Sequence, residues 1–88
     1  MIAPSPTATI FPNPNNGQFT LSLDGMTESM TDGQVQLIIS NSMGQTIHVQ
    51  KITNEKIDVQ IRQLVPGTYQ ARMIYSDGML TIPFIVVD

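Results

Sequence analysis

The sequence offers few side chains that could carry chemistry, and its only histidine is His48. A nucleophilic relay needs a Ser or Cys beside a base that a third group orients. His48 lies between Ile47 and Val49 in an alternating run, and the chain has no Cys. We therefore expect a solvated strand residue on the face opposite the apolar one, not a metal ligand or an acid–base group.

Acidic residues recur at every fourth position as Asp24, Glu28 and Asp32, in a segment rich in glycine. Calcium binds several converging oxygen ligands, and a dedicated calcium loop places its carboxylates at alternate residues. The spacing of four favours a solvated loop or a single helical turn over a calcium site. Asp58 alternates with apolar neighbours, so it should point outward, with no second carboxylate to complete an acid–base pair.

Glycines and methionines add no reactive group. Gly44, Gly67 and Gly78 are isolated turn glycines and form no phosphate-binding run. Methionines in loops or near strand ends are expected to fill gaps under the loops, partly buried, more than to form an adaptable binding surface; they are Met26, Met30, Met43 and Met79. We expect no enzymatic activity, no cofactor and no metal.

Composition limits the architecture to one small domain. The chain has 88 residues, of which 41% are hydrophobic and 12% are charged, and this balance argues against disorder. Residues 1–8 hold two prolines and are interpreted as a linker remnant of a larger protein, whereas residues 9–88 form the domain. Absence of Cys leaves the compartment open.

Charge excludes two classes of partner. The net charge is −3, and the 4 basic residues do not cluster. A nucleic-acid binder needs a basic footprint to release counterions from phosphates, and an anionic membrane attracts a similar patch. We expect no nucleic-acid partner. No apolar run approaches the length of a membrane helix, so direct membrane insertion is not expected either.

Apolar and polar side chains alternate along nearly the whole chain, which indicates strands with one face buried and one wet. Turn-forming residues separate the runs. The predicted strands lie near 7–11, 17–23, 34–40, 45–52, 56–61, 67–76 and 79–87. This pattern predicts an all-β fold, a seven-stranded antiparallel immunoglobulin-like Greek-key β-sandwich. Pro83 cannot donate to a ladder, so the last strand should be an edge, bulge or change sheets there.

A tyrosine follows the Pro66-Gly67 corner at the start of a predicted strand. Immunoglobulin-like domains bond such a hydroxyl to the corner backbone. We expect Tyr69 to be mostly buried, with its hydroxyl bonded to a nearby backbone group.

Several ordered motifs resemble the C-terminal sorting domain of the bacterial type IX secretion system. That family opens with an aromatic-Pro-Asn-Pro run, a short turn with Gly and an alternating strand. The residues that match this opening are Phe11, Pro12, Asn13, Pro14, Gly17 and Phe19. Residues 39–45 resemble the family's strand-turn element, and Leu64, Gly67 and Tyr69 its Leu-x-x-Gly-x-Tyr element. The resemblance runs from about residue 9 to the end.

The resemblance implies that the domain acts as a sorting signal for a larger protein. Such a domain folds in the periplasm behind an N-terminal cargo domain and is recognised by the outer-membrane translocation machinery. A sortase-like peptidase then commonly cuts upstream, here in the linker before Thr9, and the cargo is secreted or held at the cell surface. The recognition residues implied are Pro12, Asn13, Pro14, Gly17, Gly67, Tyr69, Ile85, Val86, Val87 and Asp88.

The last strand departs from the family, which usually carries Lys near its terminus. Residues 81–88 contain no basic residue. Backbone pairing to an exposed terminal strand needs no such charge. We therefore predict a docking edge over residues 85–88, whose deletion should abolish export while the fold stays mostly intact.

Two other functions stay open, because one sandwich hosts many. A carbohydrate-binding or adhesion module appended to a secreted enzyme would present coplanar aromatic rings. The chain has no Trp, and Tyr69 and Tyr75 fall on the apolar register. An inert spacer domain is the other alternative.

Overall fold

The computed structural model describes residues 7–24, 35–75 and 78–87, and these residues form seven strands. The strands are β1 (Thr7–Phe11), β2 (Gln18–Asp24), β3 (Val35–Asn41), β4 (Thr46–Ile52), β5 (Lys56–Gln60), β6 (Gly67–Tyr75) and β7 (Gly78–Val86). Their bounds lie within one residue of the predicted ones. Strand β1 begins at Thr7 and therefore includes residues 7 and 8, the last two residues of the predicted linker remnant.

The strands form two antiparallel sheets. One has three strands in the order β1-β2-β5, and the other has four in the order β4-β3-β6-β7. This arrangement confirms the all-β, sandwich-like prediction, while the immunoglobulin-like Greek-key assignment stays a prediction. No helix long and apolar enough to cross a membrane occurs within the described residues.

The core lies between the two sheets and is built by alternation. Inward side chains of the central strands are buried, among them Leu21 of β2, Leu37 of β3 and Met73 of β6. The ring of Phe84 joins the layers, since its centroid lies 4.9 Å from that of Phe19 and 5.7 Å from that of Tyr69. Burial of one such side chain contributes about 1.5–3 kcal/mol, so this contact between sheets is a main source of stability.

Strand β4 corrects the prediction for His48. Its side chain is half-buried, with Nε2 2.7 Å from Oε1 of Gln50, whereas Val49 is 49% exposed. The cause is Ile52, which pairs with Val35 and is fully buried. Side chains alternate with a period of two, so placing Ile52 inward also turns Gln50 and His48 inward. The expectation that His48 lies on the outer face is wrong.

Two pairs of consecutive strands, β3–β4 and β6–β7, are antiparallel neighbours. In the β3–β4 turn, Oδ1 of Asn41 accepts hydrogen bonds from the backbone N–H groups of Met43 and Gln45, both at 3.0 Å. Strands β6 and β7 pair up to Tyr75 and Gly78, and so form a second hairpin.

Two methionines contradict the expected burial. Met43 is 81% exposed and Met79 is 57% exposed, because one lies at the tip of a hairpin turn and the other on an edge strand. Met26 and Met30 lie outside the described residues.

Candidate recognition site

The signature loop, residues 12–17, connects β1 to β2 and is organised by a buried asparagine. Asn15 is 4% exposed. Its Nδ2 donates to the carbonyl of Pro12 at 3.1 Å, and its Oδ1 accepts from the N–H of Gly17 at 2.9 Å. Asparagine suits this position because its short amide can bond to its own neighbouring backbone. The side chain thereby holds both ends of the loop together.

Gly17 is required where the signature loop enters β2. Its φ is 103°, a backbone conformation that side chains disfavour, and a Cβ there would lie 2.5 Å from the carbonyl oxygen of Ile61. The same segments are joined by a hydrogen bond of 2.9 Å from the N–H of Ile61 to the carbonyl of Gly17. Glycine thus lets the loop approach the chain that leaves β5.

The signature loop also binds the last strand. The N–H of Asn15 donates to the carbonyl of Ile85 at 2.9 Å, and the carbonyl of Asn15 accepts from the N–H of Val87 at 2.8 Å. Oδ1 of Asn13 accepts from the N–H of Ile85 at 2.9 Å. Asn15 therefore forms a short parallel bridge to β7, beside Val86.

These bonds explain Pro83 and correct the docking-edge hypothesis. Strand β7 is an edge strand, as predicted for Pro83. Alternate residues direct their backbone groups to the same side, so Pro83 shares the outward side with Ile85 and its missing N–H costs no bond to β6. The expectation that residues 85–87 present a free backbone edge is wrong, because the signature loop occupies their outward groups.

The corner before β6 lies beside the last strand. Tyr69 is 5% exposed and its hydroxyl donates to the carbonyl of Val65, which confirms the sequence prediction. Gly67 pairs with Val86, and Tyr69 pairs with Phe84. The hydrogen bond of Tyr69 fixes the shape of the corner, and the two strand pairs hold the corner next to the end of β7.

Nearly all the recognition residues expected from the sequence meet at this one end of the sandwich. Pro12, Asn13, Pro14 and Gly17 lie in the signature loop, Gly67 and Tyr69 lie at the β6 corner, and Ile85, Val86 and Val87 lie in or just after β7. Asp88 lies outside the described residues. We call this assembly the signature end. Val86 and Tyr69 are buried there, whereas Pro12, Asn13, Pro14, Ile85 and Val87 are exposed.

Asn15 was missed by sequence reasoning, although it bonds Pro12, Gly17, Ile85 and Val87 within the signature end. The available signal was its place two residues before a turn glycine, where asparagine commonly bonds the N–H two positions on. Its bonds to β7 had no local signal, since they join residues about 70 positions apart.

The acidic residues considered from the sequence do not form a site among the residues that the structure describes. Asp58 is exposed, as expected, and accepts a hydrogen bond from the hydroxyl of Thr20 at 2.9 Å. Asp24 is exposed at the end of β2, and Glu28 and Asp32 lie outside the described residues. No group of three or more metal-binding side chains converges in the parts of the chain that are described.

A depression of about 610 Å³ lies beside the signature end, over the three-stranded sheet. Its apolar lining includes Pro12 and the ring of Phe11, which is 44% exposed. Its polar lining includes Asp58, Gln18 and Gln60. This surface is mixed in character and open to a ligand, and Phe11 is the exposed one of its two phenylalanines.

Comparison with known families agrees with the resemblance that the sequence motifs carry. The family described as the secretion system C-terminal sorting domain matches residues 9–87, which is nearly the whole chain and includes the complete signature end. The chain belongs to this family of type IX secretion sorting domains. Comparison with curated protein sequences gave no significant match.

Membership sets the role of the sorting domain at a coarse level. The domain is a C-terminal sorting signal of type IX secretion, which exports proteins across the outer membrane to the cell surface or the medium. It therefore interacts with the type IX machinery and serves an N-terminal cargo. The signature end is where its family motifs come together in space.

Proposed function

We propose that the translocation machinery reads the sorting domain as a folded surface, and that the domain has no catalytic activity of its own. One observation carries the proposal: the signature loop and the last strand, joined by a hydrogen bond between Asn13 and Ile85 at a separation of 72 positions, form one surface. A surface built from distant segments exists only when the chain is folded.

We propose an order of events that is consistent with recognition of this surface. The sorting domain folds in the periplasm behind its cargo, and the outer-membrane machinery binds the signature end. A sortase-like peptidase then releases the cargo by cutting upstream. Residues 7–11 are paired with β2, and a ladder strand is a poor protease substrate, so we propose that the cut lies upstream of Thr7.

A reporter fusion tests this function. Residues 1–88 are attached behind a periplasmic reporter in a host that has the type IX apparatus, and surface reporter is measured on intact cells. We expect surface display with the domain and periplasmic retention without it. A second control is the same fusion in a host that lacks the translocation pore. Periplasmic retention of the complete fusion would contradict the proposal.

The depression beside Phe11 favours a second candidate, carbohydrate binding. An exposed ring can stack on a sugar, and amide and carboxylate groups can bond its hydroxyls. The two tyrosines are turned inward, as expected, so a platform of coplanar rings is missing. Titration with neutral oligosaccharides, followed by amide chemical shifts of Phe11 and Gln60, decides this. Saturable shifts that Phe11→Ala abolishes would support it, and unchanged shifts would remove it.

A further inference from the structure

The outer face of the four-stranded sheet differs in character from that of the other sheet. Directly paired residues share a face, so two rows of outward side chains cross from β4 to β7. They are Lys51, Gln36, Ile74 and Met79 in one row, and Val49, Ile38, Arg72 and Thr81 in the next. The corresponding outward positions of β1, β2 and β5 are mostly polar, namely Thr7, Thr9, Thr20, Ser22, Lys56 and Asp58.

Apolar side chains in these two rows form a connected group. Val49 is 49% exposed, Ile74 is 37% exposed and Met79 is 57% exposed, while Ile38 between them is half-buried. Neighbours across strands and two residues along a strand are close enough to touch. We call this group, together with Arg72, the arginine face.

Arg72 lies at the centre of the arginine face. Its Nε is buried and has no hydrogen-bond partner within the described residues. A buried donor left unpaired is unfavourable, and a guanidinium carries five donors that match a carboxylate. Lys51 adds a second positive charge, and no carboxylate occupies an outward position in these two rows. The face is thus apolar and positive, although the whole chain carries a charge of −3.

We infer that the arginine face docks a protein partner that presents a carboxylate between apolar side chains. Arginine is enriched in interface cores and among the residues that dominate binding energy, especially when apolar neighbours exclude water around it. A stable interface uses about 20–30 residues a side, so this smaller group suits a transient contact. The inference rests on the proposed function, since the partner is a component of the export machinery that must later release the domain.

Charge variants of the reporter fusion test the inference. We expect Arg72→Glu to lower surface reporter about tenfold, Arg72→Gln to lower it less, and Arg72→Lys to retain the most, because a carboxylate attracts any cation. The matched control is Lys56→Glu, which makes the same charge change at an outward, exposed strand position of the other sheet and should export normally. Equal losses in Arg72→Lys and Arg72→Glu would overturn the carboxylate assignment.

A second variant separates docking from folding. Val49→Glu places a repelling charge at an exposed position of an edge strand, so it should leave the melting temperature unchanged and still lower export. Normal export of both Val49→Glu and Arg72→Glu beside an exported parent fusion overturns the inference alone. Failure of the parent fusion to reach the surface overturns the proposed function instead.

Two solution measurements assign the occupant. Sedimentation of the purified sorting domain as a monomer, and no flotation with phosphatidylglycerol vesicles, support a protein partner. A dimer that Val49→Glu dissociates would overturn the assignment in favour of a second copy of the chain. Flotation that Arg72→Glu abolishes would overturn it in favour of an anionic lipid surface.

Discussion

Asn15 organises the signature loop with its side chain and joins that loop to the last strand with its backbone. The side chain closes the loop on Pro12 and Gly17, and the backbone bonds Ile85 and Val87. A buried polar group destabilises the fold unless it has a hydrogen-bond partner. The hydrogen bonds of Asn15 satisfy polar groups of both the loop and the strand.

Replacing Asn15 by Ala should destabilise the sorting domain by about 1–3 kcal/mol, since it leaves the buried N–H of Gly17 without its acceptor. Thermal unfolding measures the effect. The control is Asn16→Ala, whose lost bond to the N–H of Gln18 is exposed and can be replaced by water. Equal melting temperatures for Asn15→Ala and the parent domain would contradict this role.

Gly17→Ala should destabilise by about 2 kcal/mol or more, because positive φ and a close approach to the Ile61 carbonyl act together. Gly44→Ala separates the two causes. Gly44 has a φ of 84° but a Cβ there would meet nothing within 4 Å, so only the conformational cost of about 1 kcal/mol remains. Urea unfolding of both variants measures the difference, and a larger loss at Gly44 would refute the close-approach argument.

Strand β7 has two structural roles, although its sequence shows a single alternating pattern. Phe84 and Val86 fill the core, while Ile85 and Val87 bond the signature loop at the outer edge. Loss of the strand end therefore removes core packing and loop closure together. The expected tolerance of a terminal deletion does not fit this arrangement.

Deleting residues 85–88 should destabilise the sorting domain by about 3 kcal/mol or more, since buried Val86 and three hydrogen bonds to the signature loop are lost. Deleting Asp88 alone is the control. Circular dichroism melts of both truncations provide the measurement. A truncated domain as stable as the parent would restore the idea of a dispensable docking strand.

At the scale of the whole molecule, the chain has no disulfide and no helix among its described residues, so one small core holds the signature end in place. Such domains are marginally stable. The rings of Phe19, Tyr69 and Phe84 connect the two sheets, and the signature end is assembled from segments of both. Under the proposed recognition of a folded surface, we therefore expect export to depend on the stability of the core.

Phe84→Ala should destabilise by about 3–5 kcal/mol and lower export in step with the folded fraction, although no exposed residue changes. Val65→Ala, at a side chain that is 72% exposed, should alter neither. Folded fraction is measured by near-ultraviolet circular dichroism and export by the reporter fusion. Full export of an unfolded Phe84→Ala domain would show that a linear peptide is read instead.

Local features allowed much of this protein to be predicted from its sequence. Period-two alternation and turn residues located all seven strands, and the Pro-Gly-x-Tyr corner predicted the bond of Tyr69. The order of the family motifs identified a sorting domain. Each of these signals lies within a few neighbouring residues, so it can be recognised without knowing which strands pair.

Only the tertiary structure decided which groups meet. Strand β4 carries apolar residues of both parities, and the pairing of Ile52 with Val35 selected the one that turns His48 inward. The bonds from Asn15 to β7 and the apolar setting of Arg72 likewise depend on partners far away in sequence. The alternation of apolar and polar residues shows that a strand has two different faces. Strand register and the closure of long loops determine which face is buried and which strand edge is occupied.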